Sequence, residues 1–90
     1  PEKMTWNAQE GGVENQENKA TMISVWDEKA MEALRIDLWT KDMPVDQMKM
    51  FLHQIFVSLG HTYQRATGED DVAEKIQEFA EDFAFMSKIK

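Results

Sequence analysis

A change of apolar period across a single proline constrains this chain more than any other feature. In residues 32–40, Leu34, Ile36 and Leu38 alternate with Arg35, Asp37 and Trp39. Period two with one apolar face predicts a strand with one side turned to a core. Beyond Pro44 the apolar positions are Val45, Met48, Leu52, Ile55, Leu59 and Ala66, spaced 3, 4, 3, 4 and 7. That is one stripe of an α-helix, widened by Phe51, Phe56 and Tyr63. Proline cannot donate to a strand ladder, but its missing N–H would be unpaired in a first helical turn anyway. Residues 41–44 therefore stop the strand and start the helix, with Asp42 expected at or close to the N-cap.

The same logic extends in both directions. Residues 20–26 form a second strand, with Thr21, Ile23 and Val25 on one face and Met22, Ser24 and Trp26 on the other. A short turn over residues 27–31, rich enough in helix formers for one helical turn, makes the two strands an antiparallel hairpin. Residues 3–8 are a further short strand carrying Met4 and Trp6 on one face. Residues 9–19, polar and holding Gly11 and Gly12, read as a mobile loop. The first helix ends at Gly68, a C′ position. Asp70 or Asp71 then caps a second helix with apolar Val72, Ile76, Phe79, Ala80 and Phe83, ending near Ser87, with Lys88 and Lys90 at its negative end. Gly60 inside the first helix costs about 1 kcal/mol relative to Ala and marks close packing against a strand or a second helix.

The expected fold class is α+β: a small antiparallel sheet, hairpin plus N-terminal strand, with a C-terminal antiparallel two-helix hairpin packed on its Leu34/Ile36/Leu38 face. Residues 1–90 make a single domain, divided into an N-terminal strand and loop (1–19), a β-hairpin (20–40) and a helical hairpin (42–88).

Composition removes several partner classes. A net charge of −7 repels phosphate, so neither nucleic acid nor an anionic membrane surface is an expected partner. No apolar run approaches the ~20 residues of a transmembrane helix. No signal peptide is visible, so the cytoplasm is the expected compartment and the periplasm the alternative. The absence of cysteine excludes disulfides, thiolate nucleophiles and zinc–thiolate sites.

Catalytic patterns are absent as well. His53 and His61 sit eight residues apart on one helix, about 12 Å along its axis, too far to share an ion. Neither has a histidine or carboxylate three or four residues away. Ser24, Ser58 and Ser87 lie in no activating context, and Gly11–Gly12 lacks the lysine and helix of a phosphate loop. Glu69, Asp70, Asp71, Glu74, Glu78, Glu81 and Asp82 crowd the second helix without the alternating ligands of a calcium loop. They read as a solvated face, or as an acidic docking surface for a basic partner. No enzyme, cofactor or metal is expected.

The aromatic residues are more informative. Trp39 alternates away from the core face together with Arg35 and Asp37, and either Trp26 or the Ile23/Val25 pair must join them. Three occupants are open for that second face: the N-terminal segment around Trp6, a homodimer or other protein partner, or a small ligand. Trp is enriched at interface hot spots, so Trp39, Trp26, Arg35 and Asp37 are the candidate interface. Seven methionines suit adaptable packing or an adaptable surface.

The block RIDLWTKDMPVD (residues 35–46), with PEKMTW (1–6), ISVWD (23–27), MFLHQ (50–54) and RATGED (65–70), resembles the gliding-motility protein C (GldC) family of the Bacteroidetes. The resemblance implies a non-enzymatic accessory component of bacterial gliding, a machinery linked to type IX secretion. It also implies partners among the gliding-motility or type IX secretion components. The family carries no known catalytic residue to transfer. The alternative function is a small-molecule or lipid-binding module with a pocket between sheet and helices.

Overall fold

The computed structural model of the chain describes residues 18–90 and resolves into two units, one up to Thr40 and one from Lys41 onward. The architecture is α+β, two antiparallel strands followed by two helices. The expected strand at residues 3–8 and most of the expected loop at 9–19 lie outside the described residues.

In the first unit, β1 (Ala20–Asp27) pairs with β2 (Glu32–Trp39) from Ala20↔Trp39 to Asp27↔Glu32. The Thr40 amide donates to the Lys19 carbonyl at 2.8 Å and extends the ladder by one step. The turn between the strands is made by Asp27, whose Oδ1 accepts from the amides of Lys29 (3.0 Å) and Ala30 (3.2 Å). A short carboxylate that caps the next two or three amides reverses the chain without help from the ladder. The reversal closes at Met31, which adopts the left-handed region at φ 57°. A side chain with a Cβ costs roughly 1–2 kcal/mol there.

Register decides the faces. Directly opposed residues share a side of the sheet, so the pairs Thr21–Leu38, Ile23–Ile36 and Val25–Leu34 make an aliphatic face. Ala20–Trp39, Met22–Asp37, Ser24–Arg35 and Trp26–Ala33 make the other. Of the two alternatives left open by the sequence, Trp26 and not the Ile23/Val25 pair joins Trp39. Ile23, Val25, Leu34, Ile36 and Leu38 are all exposed.

In the second unit, α1 (Val45–Thr67) and α2 (Asp70–Met86) are joined by Gly68 and Glu69. The cap of α1 differs from expectation. Pro44, not Asp42, holds the N-cap position, at φ −65° and ψ 145° with no side-chain cap. The ring pre-sets φ, and the Pro44 carbonyl accepts the first helical bond from Met48 at 3.0 Å. At the other end Gly68 takes φ 72° and donates its amide to the Gln64 carbonyl at 2.8 Å, the expected C′ role.

The cap of α2 also differs. Glu69 occupies it, while Asp70 and Asp71 lie in the first turn, where their charge suits the helix dipole. The reason is a corner network. Tyr63 donates its hydroxyl to Glu69 at 2.6 Å, and the Gln64 amide donates to Asp70 at 2.9 Å. The Thr67 hydroxyl accepts from the Glu69 amide at 3.0 Å. At the far end, the amides of Lys88 and Ile89 donate to the carbonyls of Phe85 and Ala84, with Lys88 at φ 68°. That is a Schellman ending with lysine in the position usually held by glycine.

The helices meet along their smallest residues. Gly60 on α1 and Ala73, Ala80 and Ala84 on α2 are the buried positions. Gln77 reaches across beside Gly60 and donates its amide to the Val57 carbonyl at 3.0 Å. Lys49 donates to the Ser87 carbonyl at 2.9 Å, fixing the open end. Phe56 packs edge-on against Phe79 and Phe83, with ring centroids 5.2 and 5.0 Å away. Gly60 thus marks contact with the second helix. The large apolar stripe of α1 runs beside that contact: Leu59 sits about 100° round the helix from Gly60. Val45, Leu59, Val72 and Phe79 remain exposed.

Candidate protein-contact face of the sheet

All four residues singled out from the sequence stand on one face of the hairpin. Arg35 is near its centre, in one of the two middle residue pairs of the ladder, opposite Ser24. Its Nη1 donates to the Ser24 hydroxyl at 2.9 Å and its Nη2 to Asp37 Oδ1 at 2.7 Å. The two contacts use different arms of the planar guanidinium, which fixes its orientation on the sheet surface. An exposed ion pair of this kind adds little stability; it arranges charge. The Arg35 and Asp37 side chains keep 50% and 38% exposure, so both stay available to a partner.

The two tryptophans are 61% (Trp26) and 62% (Trp39) exposed, and they stand at diagonally opposite corners. Each has an alanine beside it across the ladder: Ala33 beside Trp26 and Ala20 beside Trp39. Six residues of strand separate the corners, about 20 Å at 3.4 Å per residue. Two indoles flanking a charged pair have the composition of a protein-contact surface, with aromatic and arginine anchors. Sequence reasoning missed Ser24, Ala20 and Ala33. Alternation alone sets Ser24 and Ala20 with Trp26 on β1 and Ala33 with Trp39 on β2, but only the pairing register joins those two strand faces into one.

Several other polar residues are engaged within the helical hairpin. Among the described residues no group of three or more histidines and carboxylates could hold a metal ion. Glu81 is paired with Lys90. The hydrogen bond and charge of Lys90, with a smaller effect of His53, hold the Glu81 carboxyl below its ordinary range. The Tyr63 hydroxyl is pushed up, chiefly by its hydrogen bond to Glu69. The acidic run is therefore divided. Glu69 and Asp70 build the corner, Glu78 pairs with Lys75, and Glu81 pairs with Lys90. Among the described residues no helix is long and apolar enough to cross a membrane.

A family model described as gliding motility-associated protein GldC-like matches residues 1–89. No curated protein and no solved structure matches the chain.

Proposed function

We propose, for a chain that belongs to the GldC-like family of gliding motility-associated proteins, that it serves this motility as a non-enzymatic accessory protein acting through protein–protein contact. The contact surface is the sheet face that carries Trp26, Arg35, Asp37 and Trp39. The partners in the cell are components of the gliding machinery.

One observation carries the reading: two largely exposed tryptophans and an oriented Arg35–Asp37 pair share one face of a two-stranded sheet. A two-stranded hairpin is marginal in water unless a further surface covers it. Large exposed apolar groups are what interfaces present before they are occupied.

The test is a Trp39→Ala replacement in a gliding bacterium that carries this protein. Colony spreading should fall, and the motility components that co-purify with the wild-type protein should be lost while the variant stays folded and abundant. Normal spreading with unchanged co-purification would overturn the reading.

A further inference from the structure

The Trp26/Trp39 face has an internal symmetry that identifies one occupant. A half-turn about the sheet normal, through the Ile23–Ile36 pair, exchanges Trp26 with Trp39 and Ala20 with Ala33. The face is a long rectangle with a large residue on one diagonal and a small one on the other. Surfaces of this kind fit a copy of themselves, because each projection meets a depression.

We propose that this face binds the same face of a second copy of the chain. The inference rests on the reading of the face as a contact surface and names its first partner. The twofold axis lies between the two sheets, perpendicular to the strands, and β2 opposes β2 of the second copy. Each Trp39 then stands over the second copy's Ala33, and each Trp26 over its Ala20. Between them Arg35 faces the second copy's Asp37, and Asp37 its Arg35, so the charges complement one another twice.

The charges also choose the axis. The other twofold arrangement, with the axis along the strands, seats Trp39 over Ala20 and Trp26 over Ala33 equally well. It would place the Asp37 carboxylate on Met22 and the Arg35 guanidinium on Ser24 of the second copy, so no ion pair forms between the copies and both charges lose water without a new partner. The aliphatic face on the reverse side offers no comparable selection, because five aliphatic side chains fit any apolar surface.

The area sets the strength. Eight residue pairs at about 3.4 Å, on two strands about 4.8 Å apart, give a footprint of roughly 260 Å². That is about a third of the ~800 Å² per partner in a standard interface. A contact at the low end of interface sizes makes a weak, transient dimer, which is seen only at high concentration.

The test uses two charge reversals and their mixture. The Arg35→Asp chain carries two acidic groups at the centre and the Asp37→Arg chain two basic ones, so each repels its own copy. Sedimentation equilibrium from roughly 10 μM to 1 mM, the range of weak association, should show the wild type dimerising. Each reversal alone should associate at least ~10-fold more weakly, since like charges are opposed. The equimolar mixture should recover a heterodimer, although the bond between residues 35 and 37 is broken in both chains. That recovery separates contact between copies from damage within one. Ala33→Lys, which closes the depression and leaves both charges in place, should also be monomeric, with circular dichroism confirming its fold. A monomeric wild type, a dimer indifferent to both reversals, or a mixture that stays monomeric would each overturn the proposal. None of these results touches the motility role, which stands or falls on the spreading of the Trp39→Ala strain.

Discussion

The amide of Gln77 occupies the space that a side chain on Gly60 would fill: a Cβ built on Gly60 would lie 2.3 Å from Gln77 Nε2 and 3.0 Å from its Cδ. The glycine that weakens α1 locally is what lets α2 send a hydrogen bond to the Val57 carbonyl. Gly60 and Gln77 are one device, and neither has its role without the other.

Gly60→Ala should therefore destabilise by about 1 kcal/mol in denaturant unfolding. Displacing the amide loses a part-buried hydrogen bond and strains the contact with Ile76, which outweighs the gain in helix propensity. In a Gln77→Ala background the same substitution should stabilise by roughly 0.5–1 kcal/mol, since propensity then acts alone. Equal effects of Gly60→Ala in the two backgrounds would show that the two residues are not coupled.

Met31 and Lys88 carry the left-handed backbone without being glycine. Met31→Gly and Lys88→Gly should each raise stability by about 0.5–1 kcal/mol, the relief of the Cβ penalty less the extra freedom of the unfolded chain. Gly68→Ala should lower it by about 1 kcal/mol through its φ of 72° alone, because nothing lies within 4 Å of the added Cβ. Thermal and denaturant midpoints measure all three.

Two contacts give the helical hairpin opposite responses to pH. The Glu81 carboxyl is held below its ordinary value of 4.5 by Lys90. Its contribution is present above that pH and is lost as pH falls through the lowered value. Lys90→Gln should flatten the acid limb of a stability–pH curve and bring the Glu81 titration, followed by NMR, back toward 4.5.

Tyr63 is the converse case. Its hydroxyl donates to Glu69 and is raised above 10.0, so the contribution is full below pH 10.0 and is lost as pH rises through the raised value. Glu69→Gln keeps an acceptor and removes the charge. Ultraviolet titration of the variant should place the Tyr63 ionisation closer to 10.0 than in the wild type.

Much of the fold was legible because it is local. The alternation of Leu34, Ile36 and Leu38, the three–four spacing beyond Val45, and Gly68 as a helix end each depend on a few neighbouring residues, and each reappears in the structure. The caps were less legible. Asp42 and Asp70 have good capping side chains, but Pro44 and Glu69 took those positions. A proline with pre-set φ supplied one start, and contacts from Tyr63, Gln64 and Thr67 on the preceding helix fixed the other.

By itself the sequence determined that Trp39, Arg35 and Asp37 share one side of a strand, because alternation is a property of the strand alone. Whether Trp26 stands with them was a question of parity between two strands, and only the tertiary structure decided it. A loop of four residues, set by the Asp27 carboxylate and the left-handed Met31, pairs Trp26 with Ala33. One residue more in that turn would have moved Trp26 to the aliphatic face, since a single-residue slip exchanges the two sides of a sheet. The diagonal of tryptophans, and the contact surface built on it, follows from that one turn.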